Sequence, residues 1–221
     1  MYIGGLLCRL TQQGKQVILG LELPITEQNQ LANYLSSAGK NNDRDTLTQS
    51  EFWQRPSDRQ DGRSSVAILN LIEQVRSMRE HGAKISILAI DADPKDGILD
   101  RDEFMASTAR RAIHSIEDPT FIALVGNIHG KKNLGTFFDR NYESFGYRLR
   151  ELGPTTVNIK FISGTAWICN GKKCDIQPIF NTRKIDTSKI GFQLNRDDST
   201  EYDLTLILTN SHASLPAKSI H

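Results

Sequence analysis

The chain has 221 residues, with 27 lysines and arginines against 26 aspartates and glutamates and a formal charge of +1. That length supports one ample hydrophobic core, and the mixed, nearly balanced charge supplies no basic face for nucleic acid. No run of 18 apolar residues occurs, and the opening MYIGGLLCRL has no basic stretch before its short apolar segment, so the sequence as written predicts neither a membrane span nor an export signal.

Ile3, Leu6, Leu7 and Leu10 recur at helical spacing and predict an amphipathic helix closed by Gly14. Gln16 to Glu22 (QVILGLE) predicts a buried strand that ends in an acidic group and is broken by Pro24. Thr26 to Ala38 predicts a helix with Leu31 and Leu35 on one face, stopped by Gly39. Residues 40–62 are polar and turn-rich, a candidate lid, apart from a short helix through Leu47, Phe52 and Trp53; the two aromatics are expected to pin it to the core. Ser64 to Glu80 predicts a long helix whose stripe of Ala67, Leu69, Ile72, Val75 and Met78 faces a sheet.

Ile85 to Ile90 predicts another strand, followed at once by Asp91 and Asp93. Asp100 and Glu103 have capping-box spacing and predict a helix from Arg101 to about Ile116. A cation on the first turn opposes the helix dipole, so Arg101 is expected to face an anion or a carboxylate. Phe121 to Val125 suits a strand covered on both faces, and Gly126 permits the turn that delivers Asn127 and His129. Beyond it the pattern predicts a helix from Arg140 to Leu152 and a strand from Thr156 to Phe161. A hairpin within 165–180, made of Ala166 to Cys169 and Ile176 to Phe180, is followed by a strand from Tyr202 to Leu208 and a turn-like tail after Asn210. The alternation argues a single α/β domain over 1–221, a mainly parallel sheet flanked by helices with a more antiparallel C-terminal hairpin region.

Cys169 and Cys174 bracket CNGKKC, in which Asn170 and Gly171 are a hairpin signal. A disulfide across the turn, pointing to an oxidising compartment, and a pair of free thiols are both open; zinc lacks two further ligands nearby. Three strands end at one edge, in Glu22, in Asp91 with Asp93, and in Asn127 with His129, with Arg101 opening the next helix. Ligands bind at that edge of parallel sheets. A carboxylate there can orient a histidine that takes a proton from water while an arginine stabilises negative charge. Glu22 and His129 could equally hold a divalent metal ion or contact a haem iron. Within 91–103, Asp96, Gly97, Leu99, Asp100 and Glu103 resemble the second half of a calcium loop, though the match needs a one-residue insertion and follows a strand rather than a helix; a solvated acidic turn capping a helix is the competing reading.

The run RDEFMA (Arg101 to Ala106), some twenty residues before GNIH (Gly126 to His129), resembles the ChaN-like haem-binding domain of the Tiki and erythromycin esterase superfamily. LGLELP around Glu22, FWQRP and DGRSS in the middle, and YDLTLIL near the end extend the resemblance over nearly the whole chain. It implies a parallel α/β domain with a rim site built from Glu22, Arg101 and His129. The family is linked to haem or iron uptake, ester hydrolysis and metal-dependent proteolysis, so the resemblance does not fix the reaction.

It also implies an N-terminal strand ending in a GExH-type motif, which nothing before Glu22 contains. MYIGGLLCRL looks like the helix that follows that strand. The expectation is therefore a chain started internally or a member that lost half its site, with an exposed sheet edge and without its export signal. A truncated start would place the protein in the periplasm or outside the cell, an authentic one in the cytoplasm, and any membrane association would come through the missing segment. The leading expectation is haem or a divalent metal, or another small-molecule ligand, bound by Glu22, Arg101, Asn127 and His129, with no nucleic-acid partner. A hydrolase using Glu22, Arg101 and His129 is the alternative, and a calcium loop the second.

Overall fold

The computed structural model describes residues 2–171, 173–179, 190–195 and 200–218. Helix α1 (Tyr2–Gln12) leads into strand β1 (Gln16–Pro24), then a 3-10 turn (Ile25–Glu27) and α2 (Gln28–Leu35). Two short helices, α3 (Asn41–Leu47) and α4 (Glu51–Gln54), cross to α5 (Val66–Glu80) and β2 (Ile85–Asp91). Helix α6 (Arg101–His114) and β3 (Pro119–Leu124) follow, then α7 (Phe145–Arg148). Strands β4 (Val157–Cys169), β5 (Cys174–Pro178), β6 (Gly191–Leu194) and β7 (Leu204–Ser211) complete the chain.

The first sheet has the order β2-β1-β3, and both pairings are parallel. Alternation along β1 sends Val17, Leu19, Leu21 and Leu23 into one core with Leu31, Trp53, Ile72 and Val75. The opposite face packs Ile90 and Phe121 against Met105, Ala106, Ala109, Phe145 and Leu149. Helices α1, α2 and α5 therefore cover one face and α6 and α7 the other, the layered α/β arrangement expected of a parallel sheet. The free edge of β2 is closed by a side chain: Gln28 donates from Nε2 to Ile87 O (3.2 Å) and accepts from Ala89 N–H (2.8 Å).

The second sheet has the order β5-β4-β7-β6. Strands β4 and β7 run parallel, while β4 with β5 and β6 with β7 run antiparallel. The sequence pattern split β4 in two, at Thr156–Phe161 and Ala166–Cys169. In the fold one strand runs through both, because Gly164 lets β7 approach where a Cβ would lie 2.0 Å from Ser211 O. Cys169 and Cys174 are disulfide-bonded across the hairpin, and Cys8 is free. The expected end of the second hairpin strand, Phe180, lies outside the described residues, and the tail is strand to Ser211 rather than turn after Asn210.

Phe121 to Val125 is covered on both faces, as expected, with Ile122 and Leu124 against the first core and Phe121, Ala123 and Val125 against the second; β3 is nonetheless an edge of its sheet, and β1 is the buried centre. An apolar run shows that a strand is sheltered but not whether it has one neighbour or two. The helix expected over 140–152 reduces to α7 and a 3-10 turn at Arg150–Leu152, because Ser144 Oγ caps Tyr147 N–H (3.2 Å) and starts the helix late. The helix expected over 26–38 ends at Leu35, where Ser37 Oγ turns back to Tyr34 O (2.8 Å). Within 40–62 the aromatics act as core pins: Trp53 is fully buried, and its Nε1–H (3.2 Å) and Ser50 Oγ–H (2.8 Å) both donate to buried Glu27. Among the described residues no helix is long and apolar enough to cross a membrane.

Candidate functional site

The site follows from strand alternation. Even-numbered positions of β1 face α6, and beyond Ile18 and Gly20 the next one is Glu22, at the carboxyl end where side chains leave the core. Asp91 is the last residue of β2, and Gly126 is the second residue after β3, so three strand ends meet the first turn of α6.

Arg101 occupies the centre. Its Nε donates to Asp91 Oδ1 and its Nη2 to Asp91 Oδ2 (both 2.5 Å), Nη2 also reaches Glu22 Oε1 (2.6 Å), and Nη1 lies 3.0 Å from His129 Nε2. Asp91 and Glu22 are almost wholly enclosed, with 3% and 11% of their side chains exposed. Burial opposes the charge on Arg101, but the two carboxylates outweigh it and keep the guanidinium firmly protonated. Glu22 Oε2 accepts the Gly126 N–H (2.6 Å), a close approach in which a Cβ on Gly126 would meet that oxygen at 3.4 Å.

His129 is oriented by a residue the sequence pattern did not single out. Its Nδ1 lies 2.8 Å from Asp102 Oδ1, and the same carboxylate accepts the Phe145 N–H (2.6 Å) and the Tyr142 hydroxyl (2.5 Å). Desolvation pushes the Asp102 carboxyl up, but the hydrogen bonds from His129, Tyr142 and Phe145 prevail and hold it below the usual carboxylate range. A carboxylate only accepts and a guanidinium only donates, so the geometry assigns the Nδ1–H tautomer, with the Nε2 lone pair turned to Arg101. Adjacent residues on a helix diverge by about 100°. Arg101 therefore reaches the ends of β1 and β2 while Asp102 reaches the turn after β3.

A second arginine extends the network. Arg63 Nη1 donates to Asp91 Oδ2 (2.7 Å), and Arg63 Nη2 to Asp61 Oδ2 (2.7 Å). Asp61 is held below its usual range because its bonds to Arg63 outweigh its burial. Both residues lie in the DGRSS run, but no periodicity places that loop against β2. The continuous chain is thus Asp61, Arg63, Asp91, Arg101 with Glu22, His129, Asp102 and Tyr142.

Glu22, Arg101 and His129 are brought together as the sequence suggested, although Asp102 rather than Glu22 bonds the imidazole. Asn127 is exposed on the same turn and contributes its carbonyl, which accepts from the Tyr202 hydroxyl, rather than its side chain. The residues present do not fit a resident metal ion. Glu22 Oε1 and His129 Nε2 stand 3.9 Å apart, but Arg101 bonds to both and takes the place a cation would need. Among the described residues no group of three His, Cys, Asp or Glu is disposed to hold one. The neighbouring cleft is about 120 Å³ and lined by Leu21, Glu22, Arg63, Val125 and Gly126.

Two of the calcium-loop residues are committed elsewhere: Asp100 caps α6 and pairs with Arg148 (2.7 Å), and Glu103 pairs with Arg110 (2.6 Å) and Arg148 (2.7 Å). A larger open depression, about 590 Å³, lies at the opposite end of the sheet beside Gln16, Lys84 and Arg76, and Arg76 is already paired with Glu73 and Glu80.

No protein-family model and no curated protein matches the sequence. Among solved structures the chain is similar to a Bacillus cereus protein from structural genomics, at a TM-score of 0.64 and 10% identity over 97% of this chain and 86% of that one. It is also similar to a succinoglycan biosynthesis protein, at 0.60 and 12% over 98% and 79%. A third likeness is to the erythromycin esterase EreC, as a histidine-to-asparagine mutant in its open conformation, at 0.54 and 11% over 98% and 72%. At these identities the likeness is one of architecture: this chain has the α/β fold shared with erythromycin esterase.

Proposed function

We propose that the chain is a hydrolase of esters or related acyl compounds, with His129 as general base, Asp102 as its orienting carboxylate and Arg101 as the stabiliser of the developing oxyanion. The observation that carries the reading is the 2.8 Å bond from His129 Nδ1 to buried Asp102, which leaves the basic Nε2 facing the sheet rim. The likeness to erythromycin esterase makes ester cleavage the reaction class to test first.

In this reading a substrate carbonyl accepts the Arg101 Nη1–H that now rests on Nε2, which frees the lone pair for a water molecule. Nε2 takes a proton from the water as its oxygen bonds the carbonyl carbon, and the tetrahedral oxyanion lies against the guanidinium. Collapse expels the alcohol, which leaves with the proton from the imidazolium, and releases the acid. Glu22 and Asp91 act through Arg101 by fixing the plane of its guanidinium, and Arg63 acts one step further back by holding Asp91.

The test is hydrolysis of p-nitrophenyl butyrate by the wild-type chain and by His129→Gln. Turnover that falls by about a thousandfold in the variant is expected, since general-base loss combined with loss of the oriented dyad is of that order. No turnover by the wild type on any short ester, or undiminished turnover by the variant, would overturn the assignment.

A further inference from the structure

We propose that the cleft of about 120 Å³ beside Glu22 is the acyl pocket of this site and selects neutral esters of short-chain acids, of about four or five carbons. The proposal rests on the hydrolase reading and adds the substrate class to it.

The walls of the cleft are hydrocarbon. Leu21 and Leu23 come from the end of β1, Leu124 from the end of β3, Val125 from the turn beyond it, and Ile68 from the first turn of α5. The two β1 leucines are buried, whereas Ile68, Leu124 and Val125 are only half-buried, so the core is not filled out at this corner of the sheet. Charge stays at the rim. Arg63 Nη1 lies 3.6 Å from Glu22 Oε1, and its guanidinium is spent on Asp61 and Asp91. An apolar cavity of about 150 Å³ takes up a benzene ring, so this one has room for a chain of about three or four carbon atoms. A carboxylate at the end of that chain would lie among leucine side chains without a partner, which opposes it.

The cleft adjoins the reactive edge of His129. Gly126 is shared by the two: it lines the cleft, and a Cβ built on it would stand 3.6 Å from His129 Cδ2, the ring carbon bonded to Nε2. With no side chain there, the passage between the imidazole and the cleft stays open. Glu22 makes the second link, since it also lines the cleft and its Oε1 lies 3.9 Å from His129 Nε2 and 2.6 Å from Arg101 Nη2. Both links run to the Nε2 side of the ring, where the scissile carbonyl meets Arg101.

The chemistry assigns the acyl side. On the tetrahedral carbon the oxyanion lies against Arg101, and the attacking and leaving oxygens both exchange a proton with Nε2. Only the acyl substituent is free to point away from Nε2. The Cδ2 edge leads it past Gly126 and Glu22 into the cleft.

The experiment measures kcat/KM of the full wild-type chain on p-nitrophenyl esters from acetate to octanoate. It is repeated on Ile68→Phe, which narrows the cleft, on Ile68→Ala, which widens it, and on Ile68→Leu, which conserves its volume. For the wild type, kcat/KM is expected to rise about threefold per methylene up to butyrate or valerate and to fall beyond, since burial of a methylene supplies that factor only while the cleft has room. Ile68→Phe should move the optimum to shorter esters, Ile68→Ala to longer ones, and Ile68→Leu should leave it in place. The octanoate-to-acetate ratio should differ between the first two by about tenfold or more, and a ratio within one variant cancels any loss of folded protein. A second readout needs no turnover. 2-Pentanone carries a carbonyl and a propyl chain but no scissile bond; titrated into protein labelled at its Ile, Leu and Val methyl groups, it should shift Ile68, Leu124 and Val125 in the wild type and leave Leu124 and Val125 unmoved in Ile68→Phe.

An optimum that is the same in every variant, or a rise that continues unbroken to octanoate, would overturn the pocket. So would dependence on alcohol length in alkyl acetates with none on acyl length, which would give the cleft to the leaving group. If no ester is hydrolysed, the hydrolase reading fails and the ketone decides the cleft: shifts at those methyl groups keep it as a site for small neutral carbonyl compounds, and their absence overturns it as well.

Discussion

Replacing Asp102 by Asn removes the one buried charge that defines the state of His129. The carboxylate is 95% enclosed on its side chain and accepts three donors, from His129 at 2.8 Å, Phe145 N–H at 2.6 Å and Tyr142 at 2.5 Å. The amide oxygen can keep the first two, while its NH2 must face the tyrosine hydroxyl, which can rotate to accept. Charge-assisted bonds worth about 1.5–3 kcal/mol each become neutral ones of about 1 kcal/mol, so a net loss of roughly 2 kcal/mol is expected. For a chain of this size that corresponds to a fall in Tm of about 4–8 °C. Because the Asp102 carboxyl is held below its ordinary value in the fold, its contribution is complete above that ordinary value and is lost as pH falls through the lowered one. The gap between wild type and variant should therefore close on acidification. Urea titrations followed by circular dichroism, at neutral pH and at pH about 3, measure the gap, and ester turnover measures the chemistry. Catalysis should drop by about 10³–10⁴ because the imidazolium formed in turnover loses the buried negative charge that stabilises it. A variant as stable as wild type at neutral pH, with turnover within tenfold of it, would refute the role given to Asp102.

Other outcomes follow from the same geometry. Burial pushes the Glu27 carboxyl up despite its bonds to Ser50 and Trp53, so its folded state is favoured at low pH and penalised as pH rises through the raised value; Glu27→Gln should raise the urea midpoint at pH about 8 and leave it nearly unchanged at pH about 4. Equal midpoints at both pH values would contradict that sign. Reducing the Cys169–Cys174 bond frees a short loop and should cost about 2 kcal/mol, seen as a lower Tm under dithiothreitol that a Cys169→Ser/Cys174→Ser chain does not show. Because the Trp167 Nε1–H donates to Gln60 O (2.6 Å), protease cleavage near 56–62 should rise with reduction. Haem titration should give no Soret shift that depends on His129, since Arg101 covers its Nε2; a shift present in wild type and absent in His129→Ala would restore the haem reading.

Much of the architecture was legible in the sequence where burial writes a period. Strands β1 and β2 and helices α1, α5 and α6 fall within a few residues of their expected ranges because alternation or a helical stripe faces a core there. The edge position of β3 was not legible, since Phe121 to Leu124 would look the same with a neighbour on either side. Within the site, Glu22, Arg101 and His129 were visible as charged or polar groups at strand and helix ends. Asp102 was hidden because an acidic residue on a first helical turn is ordinary for reasons of the helix dipole alone. Arg63 and Tyr142 come from aperiodic segments whose partners lie 28 and 40 residues away, and only the fold brings them there.

Asp102 holds His129 as the Nδ1–H tautomer, with the Nε2 lone pair turned to Arg101 Nη1. Long-range 1H–15N correlation on histidine-labelled protein at neutral pH reads this directly. A protonated Nδ1 with a downfield proton and a pyridine-like Nε2, both lost in Asp102→Ala, is the predicted result. A proton on Nε2 in the wild type, or a spectrum indifferent to Asp102, would contradict the account.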